Sequence, residues 1–261
     1  MMNLAAGFDS VTAPAWTDLA DELDAWAAQG KAACLWWRDD DAVEPTPQLD
    51  DLIDLAGGVP LGLAVIPAMV RPELREALTG VPQVVVLQHG WRHANHGGGK
   101  KSEFPPGRAP RDVAADLAAG RDRLGDLFGD VFVPVLAPPW NRFAAEFEPL
   151  LPEAGLIGLS GLARSGGLSA TSVATVDVHL DLVAWRGDRG FIGEARALAG
   201  LIGELSARRL GVAPDSAIGI LTHHLVMDRP AAGFLAELLD LTRAHDAVRW
   251  VGPSTLLDAR R

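Results

Sequence analysis

Short apolar runs alternate with amphipathic segments along most of the chain. In residues 15–28, Leu19 and Leu23 share a helical spacing with two tryptophans, which predicts an amphipathic helix. The run Lys31–Trp37 is apolar almost throughout, as in a strand that is buried on both faces. The same criteria predict further strands at 59–66, 83–88, 131–136, 155–159, 175–179, 216–221 and 248–251, and further helices at 49–56, 72–78, 111–128, 143–151, 193–209, 230–244 and 253–259.

Strands and helices alternate repeatedly, and this order favours a parallel α/β sheet or barrel. We therefore expect a distorted (β/α) barrel of about seven parallel strands. No internal repeat and no linker rich in Gly or Ser divides the sequence, so we expect a single domain over residues 1–261, with its core at about 31–257. The pattern is interrupted at 89–110 and 163–174, and the first interruption is long enough to indicate a functional loop.

The composition narrows the range of partners. An apolar fraction of 48% excludes a disordered chain, and a net charge of −11 argues against nucleic acid or an anionic membrane as a partner. Cys34 is the single cysteine, which excludes an intrachain disulfide. The N-terminal residues lack the charged and apolar parts of a secretion signal, and no apolar run approaches the roughly 20 residues that span a bilayer. We expect a cytoplasmic protein.

Polar side chains follow the predicted strands at the points where the strands end. Residues 38–41 (Arg-Asp-Asp-Asp) follow the first strand, and residues 89–96, with three histidines, follow the third. The carboxyl ends of parallel barrel strands share one face, where barrel enzymes have their active sites, so these groups are expected to converge. Later strands are followed by polar residues at 138–142, 179–181 and 223–224.

His89 and His93 are the first candidates for metal ligands. Their spacing of four residues would place both imidazoles on one side of a helical turn, which suits two ligands of one ion. With an aspartate they would form a set of two histidines and one carboxylate with open positions, which is typical of a catalytic metal. The alternative is a polar loop in which both histidines are solvated.

Asp39, Asp40 and Asp41 are three adjacent carboxylates that repel one another, and a bound cation would relieve this repulsion. The alternative is a solvated cluster at the N-terminus of a helix. However, Thr46 and Pro47 already have the pattern of a helix cap and first helical residue, and the aspartates lie too far upstream to cap that helix. The residues alone do not select which aspartate binds the cation.

One of the adjacent histidines His223 and His224 should face the barrel mouth. A general acid is the functional interpretation, and a hydrogen-bonded core histidine is the alternative. His179 and Asp181 are weaker candidates, either as groups that orient a ligand or as ordinary loop residues.

These motifs, in this order, resemble those of the polysaccharide deacetylase (NodB-homology) family of carbohydrate esterases. Residues 38–41, followed by Thr46-Pro47, are similar to the family's Phe-Asp-Asp-Gly-Pro, which Thr-Pro follows six residues later. Residues 58–65 look like the family's second strand. Residues 88–93 resemble Asn-His-Thr-x-x-His, 138–140 resemble Pro-Pro-Tyr, and 221–223 resemble Leu-x-His.

The resemblance implies a NodB-like barrel that removes an N-acetyl or similar acyl group from an amino sugar or oligosaccharide by means of a metal-activated water. Counting back from Thr46 assigns Asp39 as the base and Asp40 as the metal-binding aspartate. With His89 and His93, Asp40 would hold one divalent ion, Zn²⁺, with Co²⁺ and Ni²⁺ as alternatives.

The remaining roles also come from the resemblance. His223 would be the general acid, and the backbone N–H of Trp140 would stabilise the oxyanion. The expected substrate contacts are Trp91, Glu103, Trp140, Asn141, Arg142 and Asp181, with Lys101 and Trp185 as further contacts.

Two positions depart from the family pattern. Ala137 replaces the arginine that pairs with the base, and Ala184 replaces an aspartate. Arg142 or Arg38 could substitute for the arginine, and Asp181 for the aspartate. These departures leave two other functions open, an amidase that acts on a small non-sugar amide and a non-catalytic member that binds carbohydrate.

Overall fold

A curled, wholly parallel sheet is the framework of the protein. The computed structural model describes residues 13–163 and 172–258. The strands within these residues are β1 (Ala33–Ala42), β2 (Leu61–Val65), β3 (Val84–Gln88), β4 (Phe132–Leu136), β5 (Gly158–Leu159), β6 (Ala174–Thr175), β7 (Leu180–Asp181), β8 (Ile218–Thr222) and β9 (Val248–Trp250).

The strand order is β6-β5-β4-β3-β2-β1-β8-β7, and β9 pairs with the first residues of β1. The sheet curls into a half-barrel with helices around it, which confirms the predicted distorted, NodB-like (β/α) barrel. β1 is central, because it pairs with β2 on one side and with β8 on the other. In this register Asp39 lies opposite Leu63 of β2 and opposite Thr222, the last residue of β8.

The helices cover the outer side of the sheet. None of those within residues 13–163 and 172–258 is both long and apolar enough to cross a membrane. The helices are α1 (Trp16–Ala28), α2 (Pro47–Ala56), α3 (Pro72–Ala77), α4 (Pro110–Phe128), α5 (Leu150–Glu153), α6 (Glu194–Arg209), α7 (Arg229–Arg243) and α8 (Pro253–Asp258).

Local sequence explains where α2 begins and ends. The Thr46 hydroxyl accepts a hydrogen bond from the Leu49 N–H at 3.1 Å, and Pro47 occupies the first helical position, where its missing N–H costs nothing. Leu49 and Leu52 are buried, and Gly57 ends the helix in the left-handed conformation with φ of 50°. The predicted cap is therefore present, and the helix begins at Pro47, two residues before the start that the apolar pattern predicted.

Alternation along β1 separates two cores. Trp37 packs with leucines of α1, α6 and α7, whereas Trp36 packs with Leu87 of β3, Val135 of β4 and Leu221 of β8, inside the half-barrel. Because successive strand residues face opposite sides, Arg38 and Asp40 continue the inner face of Trp36, and Asp39 continues the outer face of Trp37.

Three predicted elements differ from the structure. β1 extends to Ala42 and includes all three aspartates, whereas the prediction ended the strand at Trp37 because it treated the charged run as a loop. Residues 143–151 form only a short 3-10 turn (Ala145–Phe147) and the start of α5. The strand predicted at 175–179 shares only Thr175 with β6, and β7 begins just after it, at Leu180. Most of the loop predicted at 163–174 lies outside the described residues.

His179 lies at the amino end of β7, not at the carboxyl end of a strand. There it lines a separate cavity with Cys34 and Arg249, at the end of the sheet opposite the aspartates. Its Nε2 lies 2.9 Å from a guanidinium nitrogen of Arg208, and its Nδ1 accepts a hydrogen bond from the Gly219 N–H at 3.0 Å. Burial, followed by the Arg208 charge, lowers the pKa of His179 to about 4.

The depressed pKa of His179 predicts a pH-dependent stability. The unfolded chain binds a proton on this histidine below about pH 6.5, whereas the folded chain binds it only near pH 4. The free energy of unfolding should therefore fall as the pH drops from about 6.5 to about 4, by at most about 3 kcal/mol from this group. Urea unfolding of wild type and His179→Gln at several pH values measures the effect. The variant's curve should be flatter in this range, and parallel curves would contradict the assignment.

Candidate metal centre and catalytic cavity

A cavity of about 870 Å³ opens at the carboxyl ends of β1, β3, β4, β7 and β8. This is the face where parallel α/β barrels carry their active sites. Its lining is rich in polar and aromatic side chains, namely Asp40, Asp41, His89, His93, Asn95, Lys100, Lys101, Trp140, Asn141, Arg142, Asp181, Trp185, Arg189 and His223, together with Leu162.

Three possible ligand atoms converge in this cavity. Oδ1 of Asp41 lies 3.1 Å from Nε2 of His89 and 3.3 Å from Nε2 of His93. One ligand atom from each of these residues lies within 4.8 Å of the other two, the only such group of three found among the described residues. Two imidazoles and one carboxylate are suitable ligands for a catalytic divalent cation.

The converging carboxylate is Asp41, one position after the predicted Asp40. Simple alternation would turn Asp41 outward with Asp39, but the β1–β2 register shifts between Asp39 and Ala42, and Asp41 has a left-handed φ of 74°. This distortion lets Asp40 and Asp41 line the same cavity. Counting back from Thr46 missed the shift because Asp41 is five residues before Thr46, one fewer than the family spacing.

A backbone contact fixes the orientation of His89. Its Nδ1 lies 2.9 Å from the carbonyl oxygen of Ala137, which can only accept, so Nδ1 carries the hydrogen. The lone pair is therefore on Nε2, the atom next to Asp41. Such a second contact commonly fixes the tautomer of a metal-binding histidine.

The electrostatics of the three residues favour positive charge between them. Burial alone would raise the pKa of Asp41, but the interaction with His89 lowers it well below its usual range. Burial would lower the pKa of His89, yet the charges of Asp40 and Asp41 raise it. Burial and the adjacent His89 lower the pKa of His93. The carboxylate thus stays ionised and attracts either a proton or a cation.

Glu103 holds the loop that carries the histidines. It is fully buried, does not line the cavity, and accepts the N–H groups of Trp91 at 3.1 Å and Arg92 at 2.7 Å. Gly90 makes this approach feasible, because a Cβ there would lie 1.9 Å from a Glu103 oxygen. Trp91 does not line the cavity either, so the structure brings neither predicted substrate contact to it.

Backbone conformations of low intrinsic stability cluster around the cavity. His93, Trp140 and Asn141 all have φ between 54° and 57°, in the left-handed region. Such residues persist only where surrounding contacts compensate, and they concentrate at functional sites. The ring of Trp140 packs 4.3 Å from that of His93, which places the tryptophan beside the converging ligand atoms.

Arg38 is the partner of Asp40. Nε of Arg38 lies 2.8 Å from one Asp40 oxygen without an aligned hydrogen bond, and a terminal guanidinium nitrogen donates a hydrogen bond to the other oxygen at 3.0 Å. The guanidinium is fully buried and also donates to Ser160 and to the Asn141 side-chain oxygen. Arg38, and not Arg142, therefore brings a guanidinium to a carboxylate of this cavity. Arg142 instead donates to the Lys101 carbonyl oxygen at 2.7 Å.

His223 faces Asp40 across the cavity, with its Nε2 3.9 Å from an Asp40 oxygen. Trp185 packs edge-on against the His223 ring at 4.7 Å and donates its indole N–H to Asp181 at 2.7 Å. Burial raises the pKa of Asp181, while the nearby His223 partly opposes this shift. Asp181 thus contacts Trp185, the residue that follows Ala184.

Asp39, the predicted base, lies outside the cavity. It is fully buried and accepts hydrogen bonds from the Thr222 hydroxyl at 2.7 Å, the His224 N–H at 2.9 Å and the His224 imidazole. Burial would lower the pKa of His224, but the charge of Asp39 raises it. Asp39 and His224 therefore tie the end of β1 to the end of β8, directly beside Asp40 and His223.

The contact between Arg38 and Asp40 could have been predicted from the sequence pattern. Residues two apart in a strand share a face, so extending β1 through the charged run would have placed both side chains together. No local sequence feature indicated the register shift that turns Asp41 inward.

Comparisons of sequence alone find no relative, since no family model and no curated protein matches the chain. Solved structures do match. A proposed polysaccharide deacetylase from Mycobacterium smegmatis has a TM-score of 0.68 at 18% identity, covering 88% of this chain and 90% of its own. A family 4 acetyl xylan esterase from Clostridium thermocellum, solved with a cobalt ion, has a TM-score of 0.53 at 14% identity, covering 87% and 91%.

A third similar structure is a mutant of a family 4 pseudoenzyme with restored enzymatic activity, at a TM-score of 0.55 and 12% identity, covering 87% of this chain and 68% of that one. These alignments span nearly the whole chain at identities that establish the fold alone. The chain therefore has the fold of the polysaccharide deacetylases of carbohydrate esterase family 4, with a sequence that has diverged widely from theirs.

Proposed function

We propose that residues 13–258 act as one catalytic domain, a metal-dependent hydrolase that removes an N-acetyl or similar acyl group from an amino sugar or oligosaccharide. The observation that carries the proposal is the convergence of Asp41, His89 and His93 in a cavity that Asp40 and His223 also line. Acyl hydrolysis needs these three elements together, namely an electrophilic centre, a base and an acid.

The chemistry of the three ligand residues fits a divalent cation. Oδ1 of Asp41 is buried and has no aligned hydrogen-bond donor among the described residues, although two imidazole nitrogens lie close to it. Zn²⁺ is the first choice for this set, with Co²⁺ and Ni²⁺ as alternatives. When bound, the ion would acidify a water molecule and polarise the acyl carbonyl group.

The chain's own groups would handle the protons. Asp40, oriented by Arg38, would accept a proton as the water oxygen bonds to the acyl carbon. The backbone N–H of Trp140 would donate to the carbonyl oxygen as it gains charge. His223 would donate a proton to the leaving nitrogen as the C–N bond breaks, giving acetate and a free amine. This assignment shifts the base from Asp39 to Asp40 and the ligand from Asp40 to Asp41.

Two other functions are compatible with this fold and cavity. An amidase acting on a small non-sugar amide would use the same groups, so only the substrate separates it from the deacetylase. A non-catalytic carbohydrate-binding protein is disfavoured by Arg38, because this residue supplies the pairing that was expected to be lost at Ala137. The exposed Trp185 and the half-buried Trp140 offer faces on which a sugar ring could stack.

Substitutions of two adjacent aspartates should have different effects. Asp41→Asn removes a proposed ligand and should lower the affinity for Zn²⁺ or Co²⁺ by more than about 100-fold. Asp40→Asn should keep the affinity within about tenfold while lowering kcat by about 10²- to 10⁴-fold. Metal content after dialysis and acetate release from N-acetylated oligosaccharides measure the two effects.

The His89→Ala and His93→Ala double variant is the control for the loss of metal. The assignment is wrong if Asp40→Asn loses the ion and Asp41→Asn retains it. If wild type binds no more metal than the double variant, the proposed metal centre itself is wrong.

Arg38 and Arg121 form a second matched pair. Arg38→Lys keeps the charge but cannot contact both Asp40 oxygens with one planar group, so Asp40 loses its orientation and kcat should fall by about 10- to 100-fold. Arg121→Lys, outside the cavity, removes a contact to the Ala154 carbonyl oxygen, and kcat should change by less than about threefold. Steady-state kinetics on metal-loaded protein tests this, with circular dichroism to verify folding. Equal losses in the two variants would contradict the role of Arg38.

A further inference from the structure

The mouth of the catalytic cavity carries four cationic side chains, those of Lys100, Lys101, Arg142 and Arg189. All four residues are exposed. None of them forms an ion pair with a carboxylate in the part of the chain that the structure describes. Arg142 donates only to a backbone carbonyl oxygen, and the Lys101 ammonium lies 6.0 Å from the centre of the Trp140 ring.

The carboxylates of the same cavity already have partners. Asp40 is held by Arg38, and Asp41 lies between the two histidines. Asp181 accepts the Trp185 indole N–H and the Val183 N–H. The acidic groups of the lining thus have contacts within the protein or face the proposed metal ion, whereas the four cations are available to a ligand.

The composition of the chain does not explain this concentration of cations. Lys and Arg account for 23 of 261 residues in a chain of net charge −11. At the cavity they account for four of the fifteen lining residues. A local positive field at the mouth of an otherwise acidic protein would raise the local concentration of anions there, against the repulsion of the whole molecule.

The cations come from both sides of the cavity. Lys101 and Arg142 are joined by the contact between them and lie in the loops that follow β3 and β4. Arg189 lies in the loop that follows β7, and β4 and β7 are on opposite sides of β1 in the strand order. An anionic group on a sugar bound between Trp140 and Trp185 would therefore meet a cation on either side.

We propose that the substrate carries an anionic group, a carboxylate or a phosphate, which Lys101, Arg142 and Arg189 bind at the cavity mouth. This inference rests on the proposed function, because it names the class of acylated sugar that the same cavity would accept. Guanidinium groups suit both anions, since their donor pairs match two oxygens of a carboxylate or a phosphate.

The test uses sugars that differ in charge. Acetate release and calorimetric binding are measured on cobalt-loaded protein with N-acetylglucosamine, its 6-phosphate and N-acetylmuramic acid. We expect kcat/KM and affinity to favour at least one anionic sugar by about tenfold at low salt. The preference should be much smaller at high salt, because salt screens the attraction between the anion and the cations at the cavity mouth. The preference for the phosphate or for the carboxylate identifies the group.

Two triple variants separate the effect of the three cations at the cavity mouth from the effect of the protein's overall charge. Lys101→Gln/Arg142→Gln/Arg189→Gln should lower the ratio of anionic to neutral kcat/KM by about twofold per cation, which removes most of the expected preference. Lys31→Gln/Arg71→Gln/Arg196→Gln removes the same charge from exposed positions outside the cavity and should leave the ratio as in wild type.

The outcomes distinguish this inference from the proposed function. Acetate release without any preference for charge, or an equal loss of preference in both triple variants, overturns the anionic substrate and leaves the hydrolase intact. A different result would be salt-sensitive binding of an anionic sugar that is lost in the Lys101, Arg142 and Arg189 variant, with no acetate released from any of the three sugars. That result supports the anionic ligand and counts against the hydrolase.

Discussion

Four consecutive charged residues end the central strand, and the need to compensate their charges organises the rest of the site. Arg38, Asp39 and Asp40 are almost completely buried, and a buried charge is costly unless it is paired and hydrogen-bonded. Arg38 and Asp40 compensate each other on the inner face, and His224 and Thr222 compensate Asp39 on the outer face. Only Asp41 depends on two partly or fully buried histidines, and that arrangement is satisfied best by a cation.

The same arrangement bears on the alanine at position 137. In the proposed function Asp40 is the base and needs a buried guanidinium, which can come from any position that faces the same cavity. Here it comes from Arg38, two residues before Asp40, and Ser160 and Asn141 hold it in place. The backbone of Ala137 keeps a role, because its carbonyl oxygen orients His89. A comparison of motifs alone would score the arginine as missing, whereas the structure has a guanidinium contact to Asp40 from Arg38.

The sequence was informative for most of the periodic segments and for most of the polar residues that follow a predicted strand. Alternating strands and helices predicted the barrel, and strand-end placement brought His89, His93 and His223 to one cavity. Prediction failed where a local distortion decided the outcome. The register shift and positive φ at Asp41 moved the carboxylate assignment by one residue, and no residue type announces such a shift. Glu103 looked like a loop residue open to substrate, but its burial depends on Gly90 and on loop packing that only the folded chain reveals.

The central claim is that Asp41, with His89 and His93, holds a divalent cation. Anomalous diffraction from crystals grown with Co²⁺, recorded on both sides of the cobalt absorption edge, locates the ion without reference to activity. The account predicts one dominant anomalous peak bonded to a carboxylate oxygen of Asp41 and to Nε2 of both histidines, with Asp40 still paired to Arg38. A dominant peak bonded to Asp40 or Asp39 in place of Asp41, or the absence of any peak between the two histidines at saturating Co²⁺, would contradict it.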